Sequence, residues 1–178
     1  MLGLEDGKVR LFGHQPEWAG LFIEEKKRLQ AAIGAYILDI QHIGSTSIPA
    51  LPAKPILDIA IGVADFETAE VCIPPLQQIG YHYRGEHGIS RRHYFVRGAQ
   101  TVRGQVRTHH LHVLEMQSEQ WRQHLLFRDT LRRNPQLASE FAIYKRKIAS
   151  MFKDDRAAYQ AAKDVFVSRM LAKWESAQ

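Results

Sequence analysis

The sequence predicts an α/β (α+β) fold: a mixed β-sheet core over about residues 1–117, followed by packed helices over about 118–178. Two observations carry this. Up to residue 117, short β-branched runs alternate with segments of helical period. From Ser118 onward only the helical period remains. At 178 residues and 45% apolar composition, one domain with a real core is expected.

Residues 1–13 read as a lead-in, with Val9 to Phe12 a short edge strand. From His14 the period is helical: Trp18, Leu21, Phe22, Leu29 and Ile33 form one stripe, and Glu24, Glu25, Lys26 and Lys27 are assigned to the opposite face. Gly34 ends that helix. Tyr36 to Ile43 reads as a strand leading into Gly44-Ser45, and Ile56 to Val63 as the most buried strand. Asp65 caps a helix over Phe66 to Ile79 that Pro74-Pro75 shortens or splits, and Gly80 closes it. Arg92 to Arg97 and His109 to Glu115 read as strands, joined by a polar loop from Gly98 to Thr108. Ser118, Asn134-Pro135 and Asp154 or Asp155 mark three helix starts. Leu137, Phe141, Tyr144, Ile148 and Phe152 form the second helix's stripe; Tyr159, Ala162, Phe166, Met170 and Trp174 form the third's.

The net charge of +5 fits an anionic small molecule, and equally a protein that binds none. No nucleic-acid motif accompanies the charge, so nucleic acid is not expected as the partner. The single cysteine, Cys72, allows no internal disulfide and reads as a core residue. No apolar run reaches membrane-spanning length, and a cytoplasmic location is expected.

The chemistry is expected where Gly44, Ser45 and Thr46 make a turn whose backbone can approach a phosphate closely. On the following strand, Leu57, Ile59, Ile61 and Val63 share one face; Asp58, Ala60 and Gly62 share the other. A lone carboxylate among small residues there suggests an open groove. Phosphoryl and nucleotidyl transfer need a grip on a triphosphate and carboxylates for divalent metal, and a Gly-Ser turn before a strand acid supplies both in order. A tight turn with Asp58 paired to an Arg or Lys reads equally well. Two-metal sites usually carry acids two apart, and Ile56 and Ala60 stand in those places. Lys54 is a phosphate contact, or a loop lysine pairing Asp58. His110 and His112 share a strand face and could ligate a metal with Asp58, or be hydrogen-bonded polar residues. Arg91 and Arg92, with Arg97, Arg103 and Arg107 near them, are suited to phosphate contact or to protecting an edge strand. Arg128-Asp129 reads as a helix salt bridge.

The run His42-Ile-Gly-Ser-Thr-Ser-Ile-Pro-Ala-Leu-Pro-Ala-Lys-Pro-Ile-Leu-Asp-Ile resembles the signature of the GrpB family. Arg92-His-Tyr-Phe, His110-Leu-His-Val, Phe127-Arg-Asp-Thr-Leu-Arg, Tyr144-Lys and Tyr159-Gln-Ala-Ala-Lys163 extend the likeness over nearly the whole chain. Ala50 departs from the glycine usual there. That family is similar in fold to the nucleotidyltransferase superfamily and occurs fused to dephospho-CoA kinase in some bacteria. The resemblance implies a mixed sheet with helices on one face and an active-site groove on the other. It matches Gly44 and Ser45 to that superfamily's turn and Asp58 to one of its strand acids, with Ile56 in place of the other; taken with the residue reading, catalytic roles are expected for Asp58 and Ser45 and nucleotide or phosphate binding for Gly44, Ser45, Thr46, Lys54, Arg91 and Arg92. His110 and His112 stand on the later strand where that superfamily has its third acid, so a divalent metal, Mg or Mn (Zn if histidines ligate), is expected on Asp58, His110 and His112. The expected reaction is metal-dependent transfer of a nucleotidyl or phosphoryl group from an NTP to an acceptor. The alternative is a non-catalytic module for a nucleotide or CoA-like anion, with a link to dephospho-CoA kinase.

Overall fold

The computed structural model describes residues 2–102 and 104–175, and side chains of the last helix as far as Ala172. Arg103 and the Trp174 side chain lie outside the described residues. In chain order the elements are β1 (Leu4–Glu5), α1 (Glu17–Ile33), β2 (Asp39–Ile43), β3 (Leu57–Val63), α2 (Ile73–Gln78), β4 (His82–Tyr83), β5 (Arg92–Thr101), β6 (Gly104–Glu115), α3 (Glu119–Arg133), α4 (Pro135–Met151) and α5 (Arg156–Glu175). The strands form one mixed sheet in the order β2-β3-β6-β5-β4, with β1 added against the start of β6. The β3–β6 pair is parallel and sets Asp58 beside His110 and Ala60 beside His112. The other pairings are antiparallel.

Alternation along β3 builds two unlike faces. Leu57, Ile59, Ile61 and Val63 join Leu111, Val113 and Phe95 in the main core, covered by α1 and α2 through Trp18, Leu29, Ile33 and Leu76. The opposite face carries Asp58, Ala60 and Gly62, and the C-terminal helices lie across it. Trp121 of α3 packs with Ile43, Ala60 and Leu114. A further cluster ties Phe141, Met170 and Leu171 to Ile48 and Leu51, which come just after the Gly-Ser corner. The helical tail therefore grips the loop that shapes the candidate site.

Each tail helix starts where a polar side chain meets an orphan N–H. Ser118 Oγ accepts from Trp121 N, Asn134 Oδ1 from Leu137 N, and Asp155 Oδ1 from Ala158 N. Asp65 Oδ1 likewise accepts from Thr68 N, and the proline pair divides the segment after it into a 3-10 turn, Thr68–Cys72, and α2.

Three expectations are corrected. Val9 to Phe12 is not a strand: only Phe12 bridges, to Ala53, while Val9 packs against Ile148 and Tyr159. Gly98 to Thr108 is not a loop, because β5 and β6 run on with only two residues between them. A register shift at Arg97/Gly98 allows this, and there a Cβ on Gly98 would meet the Val106 carbonyl oxygen at 1.8 Å. Glu25 is not on the solvent face of α1. It lies seven residues after Trp18 and four before Leu29, on the buried stripe, and is 5% exposed.

Candidate active site

The site begins at the end of β2. Gly44 adopts φ 66° and ψ −173°, a conformation essentially confined to glycine. A Cβ there would stand 2.5 Å from Asp58 Oδ2, so the turn closes directly over the carboxylate. Ser45–Ser47 then makes one 3-10 turn, held by Ser47 Oγ donating to Gly44 O at 2.6 Å. Thr46 Oγ1 lies 3.0 Å from His42 Nε2. From α3, Arg132 donates twice to Ser47 O and Arg128 to His42 O. Arg128 also holds Asp129, the salt bridge expected there.

Asp58 Oδ1 and His110 Nδ1 are 2.9 Å apart, and His110 Nε2 is 3.4 Å from Arg156 Nη2 on α5. One tautomer serves both contacts: Nδ1–H donates to Asp58 and Nε2 faces the guanidinium. Asp58 keeps 31% of its side chain exposed, against 9% for His110. Burial acts to raise the Asp58 carboxyl, but the His110 hydrogen bond and positive neighbours such as Lys163 outweigh it and hold the group below the ordinary carboxylate range. Burial lowers His110, opposed by Asp58, and leaves the imidazole neutral in the direction we assign.

Cations gather round this pair. Lys145 of α4, 2% exposed, donates to Ser45 Oγ at 2.8 Å and to Pro52 O at 2.6 Å. Its ammonium is driven well below the ordinary lysine value by burial first and then by Lys163 and Lys54. Lys54 lies over the Tyr159 ring, 5.5 Å from its centroid, and is lowered to about 7 by burial and by Lys163 and Arg156. Such a cluster stores repulsion that an anion would relieve.

Gly44, Ser45, Asp58, Lys54 and His110 are thus brought together. Thr46 is buried beside His42, behind the turn. His112 lies one step along β6, with Nδ1 3.3 Å from Arg92 Nη1 and its ring 5.1 Å from that of His124. Arg92 is committed to the Glu86 and His87 carbonyls, which leaves it little freedom to bind phosphate. Arg91 is outside the groove. Its φ of 59° turns it off the strand's path, and it pairs with Glu67 and Glu115 at the surface. Among the described residues no three His, Cys, Asp or Glu side chains converge to hold a metal ion. With Nδ1 of His110 on Asp58 and its Nε2 facing a guanidinium, the Asp58, His110 and His112 donors do not fit a metal held by the protein alone.

Sequence reasoning assigned no role to Lys145, Arg156, Lys163 or His124. Lys145 carried a signal: it stands four residues after Phe141 and three before Ile148, a lysine on an apolar stripe. Arg156 carried none, since its partners Asp6 and His110 lie 150 and 46 residues away.

Comparison with known proteins agrees with the resemblance. The model of the GrpB protein family matches residues 8–173. The UPF0157 protein YqkA of Bacillus subtilis is 40% identical over 160 residues, 90% of this chain but 45% of YqkA, so the chain spans less than half of that relative. Glutamate-rich protein GrpB of Alkalihalophilus pseudofirmus is 35% identical over 96% of this chain and 98% of its own length. The crystal structure of conserved protein GrpB from Enterococcus faecalis superposes with a TM-score of 0.83 at 34% identity, covering 92% of this chain and 96% of that one. A dephospho-CoA kinase of Mycolicibacterium paratuberculosis is 37% identical over 76 residues, 41% of this chain and 19% of the kinase. No described helix is long and apolar enough to cross a membrane. The chain belongs to the GrpB protein family.

Proposed function

We propose that the protein binds the phosphates of a nucleoside triphosphate at the Gly44-Ser45 turn and transfers a nucleotidyl or phosphoryl group to an acceptor beside His110. One observation carries this reading: the turn, the Asp58–His110 pair and the cations Lys54, Lys145 and Arg156 meet at one point. Lys145 and Lys54 take up the charge of the phosphates. The acceptor hydroxyl takes the place of Arg156 at His110 Nε2 and gives its proton there, while Asp58 holds Nδ1–H and stabilises the imidazolium. The acceptor oxygen bonds to phosphorus as the bond to the leaving phosphate oxygen breaks, and the departing charge stays among the lysines. Side chains alone perform the proton transfer and charge neutralisation in this scheme.

Calorimetry with ATP, GTP, CTP and UTP, with magnesium ion and again with EDTA, tests binding. At least one triphosphate is expected to bind, and Ser45→Ala and Lys163→Ala to weaken it by about tenfold each. His110→Gln is expected to keep binding and lose turnover. Absence of binding, or binding indifferent to both Ser45 and Lys163, overturns the reading.

A second reading rests on Ile56, which is 4% exposed and fills with hydrocarbon the place of the usual second acid. It is a nucleotide- or CoA-like-anion-binding module without transfer. Dephospho-CoA belongs in the same panel because of the partial similarity to a dephospho-CoA kinase. Tight binding with no turnover of any triphosphate would select this reading.

A further inference from the structure

Beside the Asp58–His110 pair lies an open cavity of about 430 Å³. Its floor continues the sheet face that carries Asp58: Val96 stands opposite His110 across the β5–β6 pair, and Tyr94 opposite His112. Tyr94 is 5% exposed, with its ring centroid 5.9 Å from that of His110. Arg84, Asp6 and Arg107 form the walls.

Two arginines at this cavity have unspent donors. The Arg84 side chain makes no hydrogen bond or ion pair among the described residues, although its backbone N–H is fixed on Tyr94 O at 2.8 Å. Arg107 Nε is buried with no hydrogen-bond partner. Burial of an unpaired donor is costly, so a site that keeps one is complete only with a ligand acceptor. Against these donors stands one acid, Asp6, which is already shared by Arg107 Nη2 and Arg156 Nη1. Arg156 in turn reaches His110 Nε2. Arg156 thus links the acid of the cavity wall to the imidazole nitrogen that is free of Asp58.

We propose that this cavity is the acceptor subsite, and that the acceptor is a small hydroxyl-bearing oxyanion, a phosphate monoester or a carboxylate. Its oxyanion is held by Arg84 and Arg107, and its hydroxyl is directed toward His110 Nε2. A fork of guanidinium donors suits the two oxygens of such a group, and the volume is that of a small-molecule pocket. The proposal rests on the transfer reading for the word acceptor; the oxyanion site itself does not need it.

The test is an NMR titration of the full chain with glycerol 3-phosphate, glycerate and glycerol, reading the amides of Arg84, Tyr94 and Val96. Saturable shifts with glycerol 3-phosphate or glycerate are expected, the stronger binder naming the oxyanion, and none with glycerol. Arg84→Gln, an exposed substitution, is expected to weaken the anion by about tenfold while leaving ATP affinity unchanged. Equal response to glycerol, affinity indifferent to Arg84→Gln, or shifts only at Ser45 and Lys54 would overturn the proposal. Failure of ATP to bind, with the Arg84-dependent oxyanion site intact, would remove the transfer reading and leave the subsite standing.

Discussion

Each face of the sheet buries a carboxylate, and the two are used differently. On the α1–α2 face, Glu25 has a side chain only 6% exposed and accepts from Arg97 at 2.6 Å, Tyr81 Oη at 2.9 Å and Arg28 at 3.3 Å. The knot sits at the edge of the apolar core, with Tyr81 buried and Arg28 and Arg97 partly exposed. On the other face, Asp58 has one hydrogen-bonding side chain among the described residues, His110, keeps 31% of its side chain exposed, and sits under a cluster of cations with depressed proton affinity. A buried charge whose partners are complete serves the fold. One whose surroundings carry surplus opposite charge and an opening is arranged for a ligand.

Removing each carboxylate is the sharpest way to break this contrast. Glu25→Ala leaves the half-buried Arg97 and the buried Tyr81 hydroxyl without their acceptor and should cost about 1–3 kcal/mol in urea unfolding. Asp58→Asn keeps the shape and should cost far less stability, while abolishing turnover if transfer occurs. Equal destabilisation by both would erase the distinction. Gly44→Ala comes next: the backbone strain alone is about 1–3 kcal/mol, and the added methyl collides with Asp58 Oδ2. Loss of triphosphate binding should accompany the lowered stability.

Acid should act on both faces. Burial lowers His42, His109 and His124 to about 4 in the folded protein, against about 6.5 for an unfolded histidine. Between those values the unfolded chain binds more protons, so stability is undiminished above about pH 6.5 and falls as pH drops toward 4. The melting temperature should track that course, and a flat profile from pH 7 to 5 would contradict it. The gentlest probe is Lys54. With its ammonium lowered to about 7, the cationic form is lost as pH rises through neutrality. Triphosphate affinity should therefore be higher at pH 6 than at pH 8, and Lys54→Met should flatten most of that slope.

Much of the fold was legible because it rests on local signals. The caps at Ser118 and Asn134, the proline split after Asp65 and the alternation along β3 all use residues within a few positions of one another. The hairpin was misread because only the cross-strand fit at Gly98 shows that a polar, glycine-containing run stays extended. Half of the site was legible for the same reason: Gly44, Ser45 and Asp58 stand on one short stretch, and His110 is recoverable from strand alternation. The rest depends on contacts over long sequence separations. Lys145 reaches Ser45 across 100 residues, and no local pattern tells Arg92, which holds a turn, from an arginine free to bind phosphate.

That hundred-residue reach also orders events during synthesis. The sheet can close once β6 has left the ribosome, but Ser45 stays without its lysine until α4 emerges, and His110 without Arg156 until α5 begins. A chain made only as far as β6 thus carries the turn, Lys54 and the acid without Lys145 and Arg156. On the proposed reading, triphosphate binding would await the arrival of α4 and the start of α5.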